Sequence, residues 1–289
     1  TWQSSNEAQG LAFKWFDAVT SANTFIYGSG AGFGAGTSVT VGTDTFTGTS
    51  RTSGATISIN SYNGLTGLSA STNTTPVNRN DQYFLVGGSR AIEADIYSGG
   101  GAVINKGTVN LGGILTLGMV TQTSSSTNHV INDGTIKVKG DKNIGMLLKE
   151  TKSDTNDTSG NKKKITIDGT NGFGVMLVNN DNKAEFINYT GAEIKATGEN
   201  SMGMYTKDSV VKNENGATIS SEKYHSVVQD GGTFTNEGTV STEAGGKVAL
   251  YSENGIFKNT STGVISAENG GIAMFVKDSK GTVAGKINV

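Results

Sequence analysis

The sequence has no cysteine, a single proline (Pro76) and only two histidines, His129 and His225. It also has no apolar run approaching the roughly 20 residues that a membrane-crossing helix requires. Without cysteine there are no disulfides and no thiolate metal sites, and two isolated histidines leave almost no room for an imidazole cluster. The lack of cysteine fits a chain exported unfolded through an oxidising compartment. Net charge is close to balance, at −2, with acids and bases interspersed. Neither nucleic acid nor an anionic membrane surface is therefore implied as a partner. No charged-then-apolar signal segment opens the chain, which starts at Thr1 without methionine. It stops at Val289, just inside a new copy of its own repeat (Val283, Ile287), so a piece of a longer protein is expected.

What is present is glycine, 42 of them, with threonine, serine and asparagine. Such a composition would read as disordered were its apolar residues not placed at fixed offsets. The organising stretch is residues 234–252, FTNEGTVSTEAGGKVALYS. An apolar residue stands two before an asparagine, a glycine follows, and a β-branched residue opens a short alternating segment. The asparagines are Asn105, Asn132, Asn188, Asn213, Asn236 and Asn259, preceded by Val103, Val130, Phe186, Val211, Phe234 and Phe257. The β-branched openers are Val109, Ile136, Ile194, Ile219, Val240 and Ile265. A second signature follows a polar turn: an apolar residue, glycine or alanine, then two more apolar residues. It occurs at Ile144-Gly145-Met146-Leu147, Phe173-Gly174-Val175-Met176, Met202-Gly203-Met204-Tyr205, Val248-Ala249-Leu250-Tyr251 and Ile272-Ala273-Met274-Phe275. A degenerate copy sits at Ser226-Val227-Val228. A period in the twenties marks a solenoid.

Period-two alternation in segments such as Ile136-Lys137-Val138 and Val240-Ser241-Thr242 makes each a half-buried strand. Three short strands per repeat, with equivalent strands running the same way, require parallel sheets. The expected fold is therefore all-β, a right-handed parallel β-helix, the hand following from the preference for right-handed crossovers. About seven regular coils at ~4.8 Å spacing make a rod section of about 34 Å. The recurrent asparagine is expected to form a structural ladder, because identical amides in register can bond the copies above and below. The glycine after it is expected to supply positive φ at the corner.

Two regions depart from the repeat. Residues 1–101 read as a capping region, in which Ser4 and Glu7 form a capping pattern ahead of a short amphipathic helix over about residues 5–19, followed by irregular β coils. Regular repeats occupy residues 102–289, interrupted by an inserted loop at 149–164 that replaces the expected apolar-x-Asn segment before Ile165. Loops on rigid scaffolds often carry function.

Chemistry is sparse. The outward positions of the alternating strand are Asn110, Lys137, Thr166, Lys195, Ser220, Ser241 and Ser266, without the acidic pair a polysaccharide-cleaving β-helix needs. No histidine stands in a context that would activate a serine, so no catalytic residues, cofactor or metal are assigned. Asp154, Asn156 and Asp157 resemble a calcium loop only in composition; the spacing fails. They remain candidate contact residues of the loop. The apolar quartets are more informative, since hydrophobes in both phases of a strand must leave one set outside. Ile144, Met146, Met202, Met204, Val248, Leu250, Ile272 and Met274 are expected inward. Leu147, Met176, Tyr205, Tyr251 and Phe275 then form an outer row, flanked by the small residues, which is a contact stripe unless the phase of the strand is reversed or another segment covers the row.

The copies INDGTIKVKGDKNIGMLL, FINYTGAEIKATGENSMGMY and FTNEGTVSTEAGGKVALY resemble the passenger repeats of large type V autotransporter adhesins, most closely the fusobacterial ones. The resemblance covers about residues 102–289. It implies an exported cell-surface, outer-membrane passenger that binds host-cell or bacterial surface proteins or glycans, with a C-terminal β-barrel translocator in the full-length protein. It implies no membrane contact by this segment and no enzyme activity. A β-helical polysaccharide lyase or hydrolase, and a structural stalk presenting a distal head, are the alternatives.

Overall fold

Parallel pairing between segments 23 to 29 residues apart dominates the computed structural model of the chain. It describes residues 38–41, 44–47, 50–53, 56–59, 90–94, 101–112, 117–122, 128–149, 158–182 and 184–289. The expected helix over residues 5–19 lies outside them. So do Asp154, Asn156 and Asp157.

All twenty-eight strands of the described residues fall into three sheets. One collects the segments ending in asparagine, from Gly101–Asn105 through Thr233–Asn236 to Ile256–Asn259. The second collects the alternating segments, from Thr108–Leu111 to Val264–Ala267. The third collects the quartets, from Leu117–Gln122 to Ile272–Lys277. We call them the asparagine, alternating and quartet sheets. From Gly101 to Lys277 the strands visit the three sheets in strict rotation, giving seven complete coils of a parallel β-solenoid. Before them Ser38–Val41, Asp44–Thr47 and Ser50–Ser53 pair antiparallel, and Ser50–Ser53 then pairs in parallel with Gly101–Asn105.

The interior follows from period-two alternation. Val109, Ile136, Ile165, Ile194, Ile219, Val240 and Ile265 stack in register from coil to coil and are fully buried. Facing them, Val130, Phe186, Val211, Phe234 and Phe257 line the asparagine sheet, and Met146, Val175, Met204, Val227 and Leu250 the quartet sheet. Val227–Asp230 is a full member of that sheet, so the degenerate copy still completes its coil.

Seven asparagines, Asn105, Asn132, Asn161, Asn188, Asn213, Asn236 and Asn259, point into this interior and are essentially without solvent contact. From Asn105 to Asn236 each Nδ2 donates to the Oδ1 of the next coil's asparagine at 2.8–3.0 Å, and Asn259 ends the ladder as an acceptor. From Asn132 onward each Nδ2 also donates to a backbone carbonyl one coil further along, such as Thr218 O from Asn188 at 3.1 Å. Buried amides are tolerable here because both ends are bonded.

Asn161 corrects the reading of the insertion. Ser159–Asn161 occupies the apolar-x-Asn slot, pairing with the strands before and after, so the stretch outside the coil is shorter than 149–164. Serine at the apolar position hid it. Ser159 Oγ accepts the Val130 N–H at 3.0 Å, which satisfies its buried hydroxyl. The corner glycines also need a different reason from the expected one. Among those following the asparagines only Gly191 and Gly216 have positive φ. At Gly134 and Gly238 a side chain would collide with the backbone carbonyl of the coil below, Gly107 O and Ala217 O respectively. Close stacking selects glycine there, and handedness of the backbone does not.

Candidate functional site

The quartet sheet has an outer face that the sequence reading placed only in part. Ladder pairing runs Ile144↔Phe173 and Met146↔Val175, passing over the glycine between them. That offset turns the small residue inward. A Cβ at Gly145 would lie 3.2 Å from Ile165 Cγ2, and one at Gly174 would lie 2.7 Å from Ile194 Cγ2. There is room only for hydrogen or, at Ala249 and Ala273, a methyl. Expecting Ile144, Met202, Val248 and Ile272 inward and the small row outward was therefore wrong. Ile144 instead joins Leu117, Leu147, Met176 and Val178 in a cluster separate from the main core, with Phe173 and Tyr205 packed against it.

Leu147, Met176, Tyr205, Val228, Tyr251 and Phe275 run in register along this outer face. Its solvent contact changes along the row: Leu147 has none, Met176 is 4 % exposed, and Tyr205, Val228 and Tyr251 are half-buried; Phe275, on the terminal strand of the sheet, has no following strand to cover it. Neither tyrosine ring enters the main core. The rings contact one another. Phe173 meets Tyr205 edge-on at 6.5 Å between centroids, and Tyr251 stacks on Phe275 at 4.9 Å.

A neighbouring group went unnoticed in the sequence. In the coil whose quartet is degenerate, Tyr224 and His225 turn to the same face; His225 lies 4.6 Å from the Tyr224 ring and 6.5 Å from Tyr251. Lys247 Nζ sits 4.9 Å above the Tyr224 ring, a cation–π contact. The only signal was the break in the repeat itself. His225 stands where an apolar residue normally opens the quartet, with Tyr224 just before it.

Carboxylates border the row. Tyr251 Oη donates to Glu253 Oε2 at 3.3 Å, and Glu253 pairs with Lys277. Burial pushes the Tyr205 phenol above its ordinary pKa, and the charges of Asp230 and Asp208 act in the same direction. Burial holds His225 below the ordinary imidazole value, with Lys247 adding to the effect. Val248 N–H donates to His225 Nδ1 at 2.9 Å, a bond that protonation there would break.

The folded state thus favours neutral His225. Its contribution to stability is complete above the unfolded pKa of about 6.5 and is lost as pH falls through the lower folded value. The urea midpoint is expected to fall between neutral pH and about pH 5, and to fall less in His225→Gln. An equal drop in both proteins counts against this role.

The alternating sheet offers a contrasting surface. Glu193 and Lys164 pair across coils at 3.0 Å, and Lys195 with Glu222 at 2.7 Å. These two pairs neutralise their own charges. Among the described residues no group of three or more His, Cys, Asp or Glu side chains could hold a metal ion.

A family model described as the BigA third pectate lyase-like domain matches residues 99–289. No curated protein matches the chain. No solved structure matches it either.

Proposed function

Since the chain belongs to the family of the BigA third pectate lyase-like domain, we propose that it is a non-enzymatic passenger segment of a bacterial surface adhesin. BigA is an autotransporter-like surface adhesin. The observation carrying the proposal is the outer face of the quartet sheet, where covered aliphatic residues give way to half-open rings. Aromatic side chains with a polar edge are the groups that dominate contact energetics. The contact segment is Tyr205, Tyr251 and Phe275, with Leu147 and Met176 as its buried continuation. Cell-surface localisation, type V export and the finer likeness to fusobacterial passengers belong to the same proposal.

The test is attachment of the purified chain to host cells, to bacteria and to arrays of glycans and surface proteins. Changing Tyr205 and Tyr251 together to serine is expected to weaken attachment about tenfold or more while the coil stays folded, since buried aromatic anchors carry about 2 kcal/mol or more each. Deleting residues 150–157, which spares the Ser159–Asn161 strand, separately tests Asp154, Asn156 and Asp157. Unchanged attachment in both variants favours the stalk reading. Release of uronate products from pectate by the unaltered chain would favour a lyase instead.

A further inference from the structure

A different corner of the solenoid carries chemistry of its own. We propose that Asn215, followed by Gly216, converts spontaneously to aspartate and isoaspartate in the folded protein, ahead of the other described Asn-Gly pairs. In such a pair the glycine main-chain nitrogen attacks the asparagine side-chain Cγ. An N–Cγ bond forms, the Cγ–Nδ2 bond breaks, and ammonia leaves with the proton from the glycine amide. Water then opens the five-membered imide at either carbonyl, giving aspartate or isoaspartate. Glycine favours the step because no Cβ hinders its nitrogen. The fold decides whether that nitrogen and the side chain are free to meet.

Four Asn-Gly pairs lie among the described residues, and three are pinned. Gly172 N–H donates to Ser201 Oγ at 3.0 Å while Asn171 Nδ2 is held by Asp141 Oδ1 at 2.7 Å. Gly255 N–H donates to Ser279 Oγ at 3.0 Å. Asn269 Nδ2 donates to Glu243 O at 2.9 Å. Asn171, Asn254 and Asn269 also sit in left-handed backbone, with φ of 50°, 54° and 52°. Attack at any of them must first break a hydrogen bond.

Asn215 is the exception. It occupies a tight turn closed by Ala217 N–H to Glu214 O at 2.9 Å, and both Asn215 and Gly216 are exposed. Among the described residues, neither the Asn215 side chain nor the Gly216 N–H makes a hydrogen bond. Conversion adds a negative charge beside Glu214, whose carboxylate accepts both Thr190 N–H and Thr190 Oγ1–H at 2.9 Å. Isoaspartate also lengthens the turn that leads into the Thr218–Ser221 strand.

The experiment holds the folded full chain in mildly alkaline buffer and follows each pair by peptide mass spectrometry with enzymatic isoaspartate labelling. Residue 215 is expected to convert at least about tenfold faster than residues 171, 254 and 269, the factor that one to two hydrogen bonds put on a barrier. In denaturant the four rates should converge, and Asn215→Gln should remove the fast signal alone. No conversion at residue 215, a rate no higher than at the other three, or the same ordering in denaturant overturns the proposal.

Discussion

Asn188→Leu is expected to cost about 2–4 kcal/mol, from about 1–3 kcal/mol for the one buried amide oxygen left without a partner and about 0.5–1.5 kcal/mol for each further hydrogen bond lost. Leucine matches asparagine in size but can neither donate nor accept. Asn213 Oδ1 would lose the donor now at 2.9 Å, and Thr218 O the one at 3.1 Å. Asn161 Nδ2 would lose one acceptor but keep Glu193 O at 3.1 Å. Asn213 Oδ1 is therefore left without a donor in the interior, while Thr218 O keeps its place in the parallel ladder with the Glu193–Ala196 strand. The aligned amides also polarise one another, so the loss should exceed that of an isolated bond. Urea unfolding checks it: a midpoint lowered by less than about 1 kcal/mol equivalent would mean the ladder is incidental to stability. Asn188→Asp should be worse near neutral pH, because a buried carboxylate cannot donate and pays for its charge.

The other large effect is expected at Phe234, which is fully buried and stacked in register between Val211 and Phe257. Phe234→Ala removes a ring from a column that no other segment can refill, since its neighbours are fixed by backbone pairing. The expected cost is about 3–5 kcal/mol, transfer and cavity terms together. In a solenoid each coil contacts chiefly its neighbours, so the damage should concentrate in the coils of residues 211, 234 and 257. Hydrogen exchange read strand by strand checks this. Uniform loss of protection along the whole rod would show that the coils unfold as one unit instead.

The solenoid was legible because its period is carried by residues that can do only one thing: Ile136, Ile194 and Ile265 fill a core, and Asn132, Asn188 and Asn236 bond their copies. Slots filled by unlike residues were not legible. Ser159-Gly160-Asn161 completes a coil without an apolar residue, because Phe186 in the next coil and a bonded serine hydroxyl make up the interior. The outer face was half legible. Alternation identified Leu147, Met176, Tyr205, Tyr251 and Phe275 as one row, but a ladder that passes over one glycine reversed the residues before it, and no periodicity rule reports such an offset. The cluster of Tyr224, His225 and Lys247 was invisible because it replaces a repeat signature instead of adding one.

The ladder spacings shorten along the chain, from 29 residues between Asn132 and Asn161 to 23 between Asn236 and Asn259. Every hydrogen bond between coils lies along the rod axis, so a pull on one end loads them in series, as teeth of a zip and not as a bundle sheared together. Each coil that lets go pays out its whole circumference, roughly 75–105 Å of extended chain at 3.3–3.6 Å per residue. A coil stacked this way is expected to lengthen in steps when pulled from one end, with the step size written into the distance from one asparagine to the next.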